Sequence, residues 1–341
     1  MRFTKRQLGG TIATVLLAAF LLFYKLPYYV YKPGSADALD PIVQVEGGYE
    51  SAGDMHLVTV RGGQANPIQY ILAKVLPHQE IMPLENVRPK GVSEEEYFHA
   101  QLQMMESSQE ASIVVAYQAA DKKIEIDYQG VYVVSVVDNM PAEGKLQSGD
   151  RIVGADGHKV KESGDLIDYV ETKKAGETIS LDVIRDDKRI TEKVKLDTFS
   201  DNDKKVGMGI QLVTDRNISV EPEVNFSSGN IGGPSAGLMF ALEIYDQLTE
   251  VDLTNGLQIA GTGEVDYDGN VHRIGGIDKK VIAADKEGCA IFFAPNEGGR
   301  KDSNYEVARK TAEEIGTKMK VVPVDTFYDA LHYLEKLANE K

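Results

Sequence analysis

Seventeen consecutive residues without a charge, Leu8 to Tyr24 (LGGTIATVLLAAFLLFY), constrain this chain more than any other feature, because they divide what suits lipid from what suits water. Arg2, Lys5 and Arg6 precede the run, and Lys25 with Tyr28, Tyr29 and Tyr31 follows it. With a snorkelling Lys25 and interfacial tyrosines, the span approaches the roughly 20 apolar residues a bilayer needs. Cations ahead of it place the N-terminus in the cytoplasm and everything after about residue 30 outside. No A-x-A pattern follows Phe23, which favours an uncleaved signal anchor over a cleaved secretory signal. A buried soluble helix is the third reading, disfavoured by the lack of a polar face.

The rest of the chain has a different character. Of 37 Lys and Arg, five lie in residues 1–33 with no acid among them, so the remainder sets 32 bases against 53 acids, a net charge of −21. That balance argues against a general nucleic-acid binder, whose affinity comes from neutralised phosphates. A 42% hydrophobic content is enough for real cores. The one cysteine, Cys289, excludes an intramolecular disulfide framework and a CxxC redox site, and reads as a small core residue. Six scattered histidines and no thiolate cluster predict no metal and no cofactor.

Lys32-Pro33-Gly34-Ser35-Ala36 reads as a linker, and residues 34–125 as an α/β module outside the membrane. Alternation around His56-Leu57-Val58-Thr59-Val60 predicts a strand, and Ser93 to Ala120, with Glu94, Glu95 and Glu96 at its start, a packing helix. From Gln129 to Leu196 short strands surround one helix, in the run QGVYVVSVVDNMPAEGKLQSGDRIVGADGHKV, whose Asp156-Gly157 pair marks a hairpin turn. This pattern resembles a PDZ domain, placed here at residues 126–198. The resemblance implies a groove in which a peptide adds as an extra strand, its end held by the loop Gln129, Gly130, Val131 and Tyr132.

Chemistry concentrates in residues 199–341. In GNIGGPSAGLMFALEIYDQLT, Gly229 to Thr249, Ser235 sits where a glycine-rich turn enters a helix. A hydroxyl is accessible there, amides are unpaired and the helix dipole favours negative charge. Those are a nucleophile's requirements beside an oxyanion hole, although serine is also a common helix cap. In GTGEVDYDGNVHRIGGIDKKVIAADKEG, Gly261 to Gly288, a turn at Asp268-Gly269-Asn270 leads to a helix starting near Asp278. Lys280 shares its face with Ile277, Ala283 and Ala284, whereas Lys279 is expected to face water. Desolvation would lower the pKa of Lys280 and free a neutral amine as general base; a snorkelling surface lysine is the alternative. His272, beside Arg273 with no assignable carboxylate, reads as a surface histidine, and Asp201-Asn202-Asp203 as a solvated linker.

Together the two segments resemble the proteolytic domain of Lon-type proteases, in Gly233-Pro234-Ser235-Ala236-Gly237, Thr262-Gly263-Glu264, Gly269, Val271, Ile274-Gly275-Gly276 and the helix bearing Lys280. The resemblance implies Ser235 as nucleophile, Lys280 as general base, Thr262 as a hydroxyl orienting the lysine, and the amides of Gly232, Gly233 and Ser235 around the oxyanion. Gly232 stands where many Lon proteins have an acid, and no GxxxxGK[ST] phosphate loop occurs in the sequence. Anchor, PDZ-like module and Lon-type domain in that order resemble the membrane-bound PDZ-Lon proteases of Gram-positive bacteria. The expected fold class is therefore α+β and multidomain: a transmembrane helix in residues 1–33, an extracellular α/β module, a PDZ-like domain and a Lon-type domain. The implied function is ATP-independent cleavage of peptides or flexible segments outside the cytoplasm by a single-pass protein of the cell membrane, with secreted signalling peptides as candidate substrates. A catalytically silent, tethered peptide-binding scaffold is the alternative. No nucleotide, nucleic acid or oligomeric partner is predicted.

Overall fold

A computed structural model describes residues 5–88, 92–199 and 202–339. They gather into two compact units, one running to Lys123 and resuming at Val220, the other spanning Ile124–Ser219. Residues 34–123 and 220–341, the greater part of two stretches read from the sequence as separate modules, thus fall in one unit, while residues 199–219 belong to the other. Strand pairing is the reason. Strand Asp54–Gln64 lies parallel to Gln258–Gly261, with Met55 opposite Ile259 and Leu57 opposite Gly261, and Val43–Val45 pairs with Val224–Phe226.

The larger unit is built on a six-stranded mixed sheet in the order Lys320–Val324, Ile291–Pro295, Gln258–Gly261, Asp54–Gln64, Tyr28–Ala38, Glu80–Pro83. The first four strands run parallel, and Tyr28–Ala38 is antiparallel to both its neighbours. Strand alternation sends successive side chains to opposite faces. Ala260 and Phe292 join a core with Ile277, Val281 and Ala308, from helices Ile277–Glu287 and Asn304–Ile315. On the other face the backbone of Gly261 lies against Met239 of helix Gly237–Leu248, and Phe293 packs edge-on against Tyr333 of helix Phe327–Asn339. Eleven of the twelve residues of Gly237–Leu248 are buried, so this helix is enclosed almost all round, with Glu243, Asp246 and Gln247 as its buried polar members.

Helix Glu94–Ala119 starts as its sequence dictates. Ser93 Oγ accepts from Glu96 N–H, and the Glu96 carboxylate accepts from Ser93 N–H, satisfying two orphan amides. Its buried Ser108, Ala111 and Ser112 are small enough to admit Gly237, where a Cβ would lie 2.7 Å from Ser108 Oγ. That contact requires glycine.

The expected transmembrane helix is overturned. Among the described residues no helix is long and apolar enough to cross a membrane. The N-terminal helix runs Lys5–Phe23 and opens on Lys5-Arg6-Gln7, leaving 16 uncharged residues. At 1.5 Å per residue these reach about 24 Å, short of a hydrocarbon core of about 30 Å. Tyr28, Tyr29 and Tyr31 do not extend it. They belong to strand Tyr28–Ala38, which also contains the expected linker Lys32–Ala36. Arg2 lies outside the described residues.

The second unit is a sheet in the order Ile210–Glu221, Lys123–Val136, Arg151–Ala155, Thr178–Arg185, Lys188–Lys195, with helix Ser163–Glu171 beside it. Val131, Val133, Ile152, Leu166 and Leu181 form its core. Asp156 and Gly157 both take positive φ, as the hairpin requires. Asp150 of the Gly149-Asp150 pair is fully buried and accepts from Arg185 Nε at 2.7 Å. Asn202 and Asp203, read as linker, lie in strand Asn202–Gly207, whereas Asp201 is outside the described residues.

Candidate active site

Ser235 lies in the turn that delivers the chain into helix Gly237–Leu248, and that turn is tied to the end of strand Gln258–Gly261. Ser235 C=O accepts from Gly263 N–H at 2.9 Å and from Thr262 Oγ1 at 2.9 Å, while Leu238 N–H donates to Gly263 O at 3.0 Å. The strand stops here, so its last peptides are free to bond the turn instead of another strand. Parallel strands end in this way at the ligand sites of open α/β sheets.

Lys280 approaches from the opposite face of the sheet. Gly276, with φ +68°, enters helix Ile277–Glu287 in the left-handed region that glycine tolerates, and a Cβ there would strike Val60. The turn it makes sets Lys280 in the first turn of the helix. Its Nζ lies 2.6 Å from Ser235 Oγ and 2.9 Å from Thr262 Oγ1. Lys280 is 4% exposed, Thr262 is fully buried, and among the described residues no carboxylate pairs with the amine. Burial therefore pulls the Lys280 pKa down from 10.5 to about 7. The helix N-terminus, itself electropositive, opposes a cation at that place too.

Lys279 departs from expectation. It does not face water but is 2% exposed, its Nζ held 2.7 Å from Glu80 Oε2 and 3.0 Å from Asp278 Oδ2. Burial alone would lower its pKa, yet the two carboxylates raise it.

An open cleft of about 570 Å³ exposes the pair, bordered by Leu57–Arg61, Gln101, Asn230–Ala236 and Arg273. Of the three amides expected around an oxyanion, that of Gly233 is engaged, donating to Gln101 O at 2.8 Å. The amides of Gly232 and Ser235 make no hydrogen bond among the described residues. Helix Glu94–Ala119 buttresses the turn: Ser108 Oγ donates to Pro234 O at 2.8 Å and Ser112 Oγ to Gly237 O at 2.9 Å. Serines inside a helix gave no chemical signal in the sequence. Their small size at the spacing i, i+4 was the only clue to a close helix contact. His272 is exposed and has a carboxylate partner, Asp266 Oδ2 at 2.8 Å, which the sequence did not identify.

In the second unit the expected peptide loop is not at the groove. Gln129, Gly130, Val131 and Tyr132 lie within strand Lys123–Val136, flanked on both sides by Ile210–Glu221 and Arg151–Ala155, with Val131 opposite Ile152. A strand paired on both sides has no edge for another to join. A small groove of about 190 Å³ lies instead between helix Ser163–Glu171 and the run Val206–Ile210, lined by Leu166, Ile167, Val170 and Leu212, where strand Ile210–Glu221 is a sheet edge.

Residues 100–196 match the PDZ domain family, and residues 193–335 match the Lon protease (S16) C-terminal proteolytic domain. The chain belongs to the PDZ–Lon protease domain family. It is 33% identical to a Lon protease of Aster yellows witches'-broom phytoplasma over 97 residues, 28% of this chain and 11% of the relative. It is 32% identical to a peroxisomal Lon protease homolog 2 of Caenorhabditis elegans over 133 residues, 39% of this chain and 16% of the relative. Among solved structures, the PDZ domain of an SdrC-like protein from Listeria monocytogenes is 38% identical, covering 26% of this chain and 93% of that one with a TM-score of 0.24. This PDZ–Lon chain thus spans only 11% to 16% of the length of these two curated relatives. Its second compact unit extends past the PDZ match to Ser219, because strand Ile210–Glu221 closes the sheet beside Lys123–Val136.

Proposed function

We propose that the larger unit is a serine endopeptidase in which Ser235 is the nucleophile and Lys280 the general base. The single observation that carries this reading is the 2.6 Å approach of a buried, carboxylate-free lysine to a half-buried serine hydroxyl. A neutral amine has two N–H donors and one lone pair. One N–H goes to Thr262 Oγ1, whose own hydrogen is committed to Ser235 O, and the lone pair is left for the Ser235 hydroxyl. Thr262 is therefore a positioning residue.

In the first step Ser235 Oγ bonds to a peptide carbonyl carbon and its proton moves to Lys280 Nζ. Negative charge collects on the carbonyl oxygen, stabilised by backbone N–H, with the Ser235 and Gly232 amides as the unengaged donors of the turn. The carbon–nitrogen bond then breaks, the departing amine takes the proton from Lys280, and an ester remains on Ser235. Water, deprotonated by Lys280, hydrolyses that ester and restores both groups. Action on peptides or already flexible segments, without nucleotide, belongs to the same reading. Capture of such segments is assigned to the PDZ groove. Action outside the cytoplasm is carried over from the sequence reading alone and is tested by where the chain fractionates.

Ser235→Ala and Lys280→Ala are each expected to lower hydrolysis of a fluorogenic peptide by at least about 1,000-fold, with unchanged far-UV circular dichroism. Full activity in Ser235→Ala overturns the assignment. Inactivity of the wild type on every peptide and on unfolded casein would favour a silent scaffold.

A further inference from the structure

We propose that Ser108 is a positioning residue for catalysis: its hydroxyl fixes the orientation of the Pro234–Ser235 peptide, so that the Ser235 N–H is held toward the cleft as the oxyanion donor. The proposal rests on the Ser235–Lys280 reading and deepens it.

A trans peptide is planar, and its C=O and N–H point in opposite directions. Pro234 C=O accepts from Ser108 Oγ at 2.8 Å and from Gly237 N–H at 3.3 Å, which turns that oxygen toward helix Glu94–Ala119. The N–H on the far side of the same plane is that of Ser235, and it is directed away from the helix. The neighbouring Gly232–Gly233 peptide is held in the reverse sense, its N–H donating to Gln101 O on the same helix. One helix therefore sets two peptides of the turn oppositely and withdraws the Gly233 amide, leaving the Ser235 amide, with that of Gly232, unengaged. Ser108 is 3% exposed, so its hydrogen bond forms away from water and competes with little else. Pro234 has no N–H of its own, and its carbonyl is the handle by which this plane is held. Ser112, one turn further along, provides an internal comparison. It bonds Ser108 O and Gly237 O and touches neither atom of the Pro234–Ser235 peptide.

The test compares Ser108→Ala, Ser108→Cys and Ser112→Ala in the full chain, with a fluorogenic peptide and a peptide aldehyde that forms a tetrahedral adduct on serine. For Ser108→Ala the expected loss is about 10- to 100-fold in kcat, with KM unchanged and the pH midpoint of activity unmoved. Affinity for the aldehyde should fall by the same factor, while affinity for the matching peptide amide stays constant. Ser108→Cys keeps the shape with a weaker donor and should lie between Ala and wild type. Ser112→Ala should lower the melting temperature and leave kcat within about threefold. Wild-type kcat in Ser108→Ala, or in a folded Ser108→Cys should the alanine variant fail to fold, overturns the proposal and leaves the dyad standing. Equal kcat losses at Ser108 and Ser112 that follow melting temperature also overturn it. Activity in Ser235→Ala would instead remove the reading beneath it.

Discussion

Lys279 and Lys280 are consecutive, both almost fully buried, and shifted in opposite directions. Lys279 Nζ sits between Glu80 and Asp278, and these carboxylates more than offset desolvation. Lys280 meets two hydroxyls and no acid, so desolvation acts on it unopposed. Their side chains leave the helix about 100° apart, which is enough to give one an ionic neighbourhood and the other a dry one. The first lysine fastens the helix to strand Glu80–Pro83. The second is left basic and uncharged near neutrality.

Activity should depend on the neutral form of Lys280. Below about 7 the amine is protonated and its lone pair is occupied; above it the base is free. The expected kcat/KM therefore rises with pH through one ionisation near 7, measured from pH 5 to 10 on enzyme checked for folding at each point. A rise centred near 10 would mean that the lysine is solvated in solution. Lys280→Arg, which stays charged throughout this range, should be inactive at every pH.

The same shift has a stability consequence with a definite sign. Between about 7 and 10.5 the unfolded chain holds a proton on Lys280 that the folded chain lacks, so stability rises with pH across that window. Below about 7 both forms are protonated and the full desolvation penalty stays in the fold. Lys280→Met removes it. Urea unfolding should show this variant more stable than wild type at pH 6, by on the order of several kcal/mol, with the difference shrinking toward pH 10.5. A variant less stable at both pH values would contradict the buried-amine account.

Lys279 should behave in the opposite manner. Glu80→Gln removes its shorter ionic contact and leaves a buried ammonium with one half-exposed carboxylate. The expected loss is about 1–3 kcal/mol in urea unfolding at pH 7, with the activity midpoint still near 7. A shifted midpoint would show the two lysines to be electrostatically coupled.

Local chemistry was readable from the residues, whereas long-range pairing was not. Glycine spacing around Ser235 and the helical phase of Ile277, Lys280 and Ala284 brought into view the two side chains that the structure places together, because turns and helix faces are local properties. Lys279 defeated the same phase argument, since its partner Glu80 comes from a strand that no periodicity links to the helix. The alternation of His56 to Val60 announced a strand but not its neighbour, Gln258–Gly261, so the two halves of one sheet read as separate modules. The apolar run at Leu8 approaches bilayer length only when Lys25 and the tyrosines are counted with it. The helix stops at Phe23, and the tyrosines pair as strand. Ser108 was invisible because a donor to another segment's carbonyl leaves no pattern in its own.

Peptide capture should map to the groove beside helix Ser163–Glu171 and not to Gln129–Tyr132. Ile167 is 44% exposed at that groove, so a polar replacement there does not disturb the core formed by Leu166. Adding a peptide strand to the free edge of Ile210–Glu221 would cover Ile167 with an apolar side chain of the peptide. Ile167→Asp is accordingly expected to weaken binding of a fluorescent peptide with an apolar end by about tenfold or more, read by polarisation, while cleavage of a short peptide is unchanged. Tyr132→Ala alters a strand already paired on both sides and should bind like wild type. If Tyr132→Ala lost binding and Ile167→Asp kept it, the peptide would be entering elsewhere on this unit, and the free edge of Ile210–Glu221 would not be its docking strand.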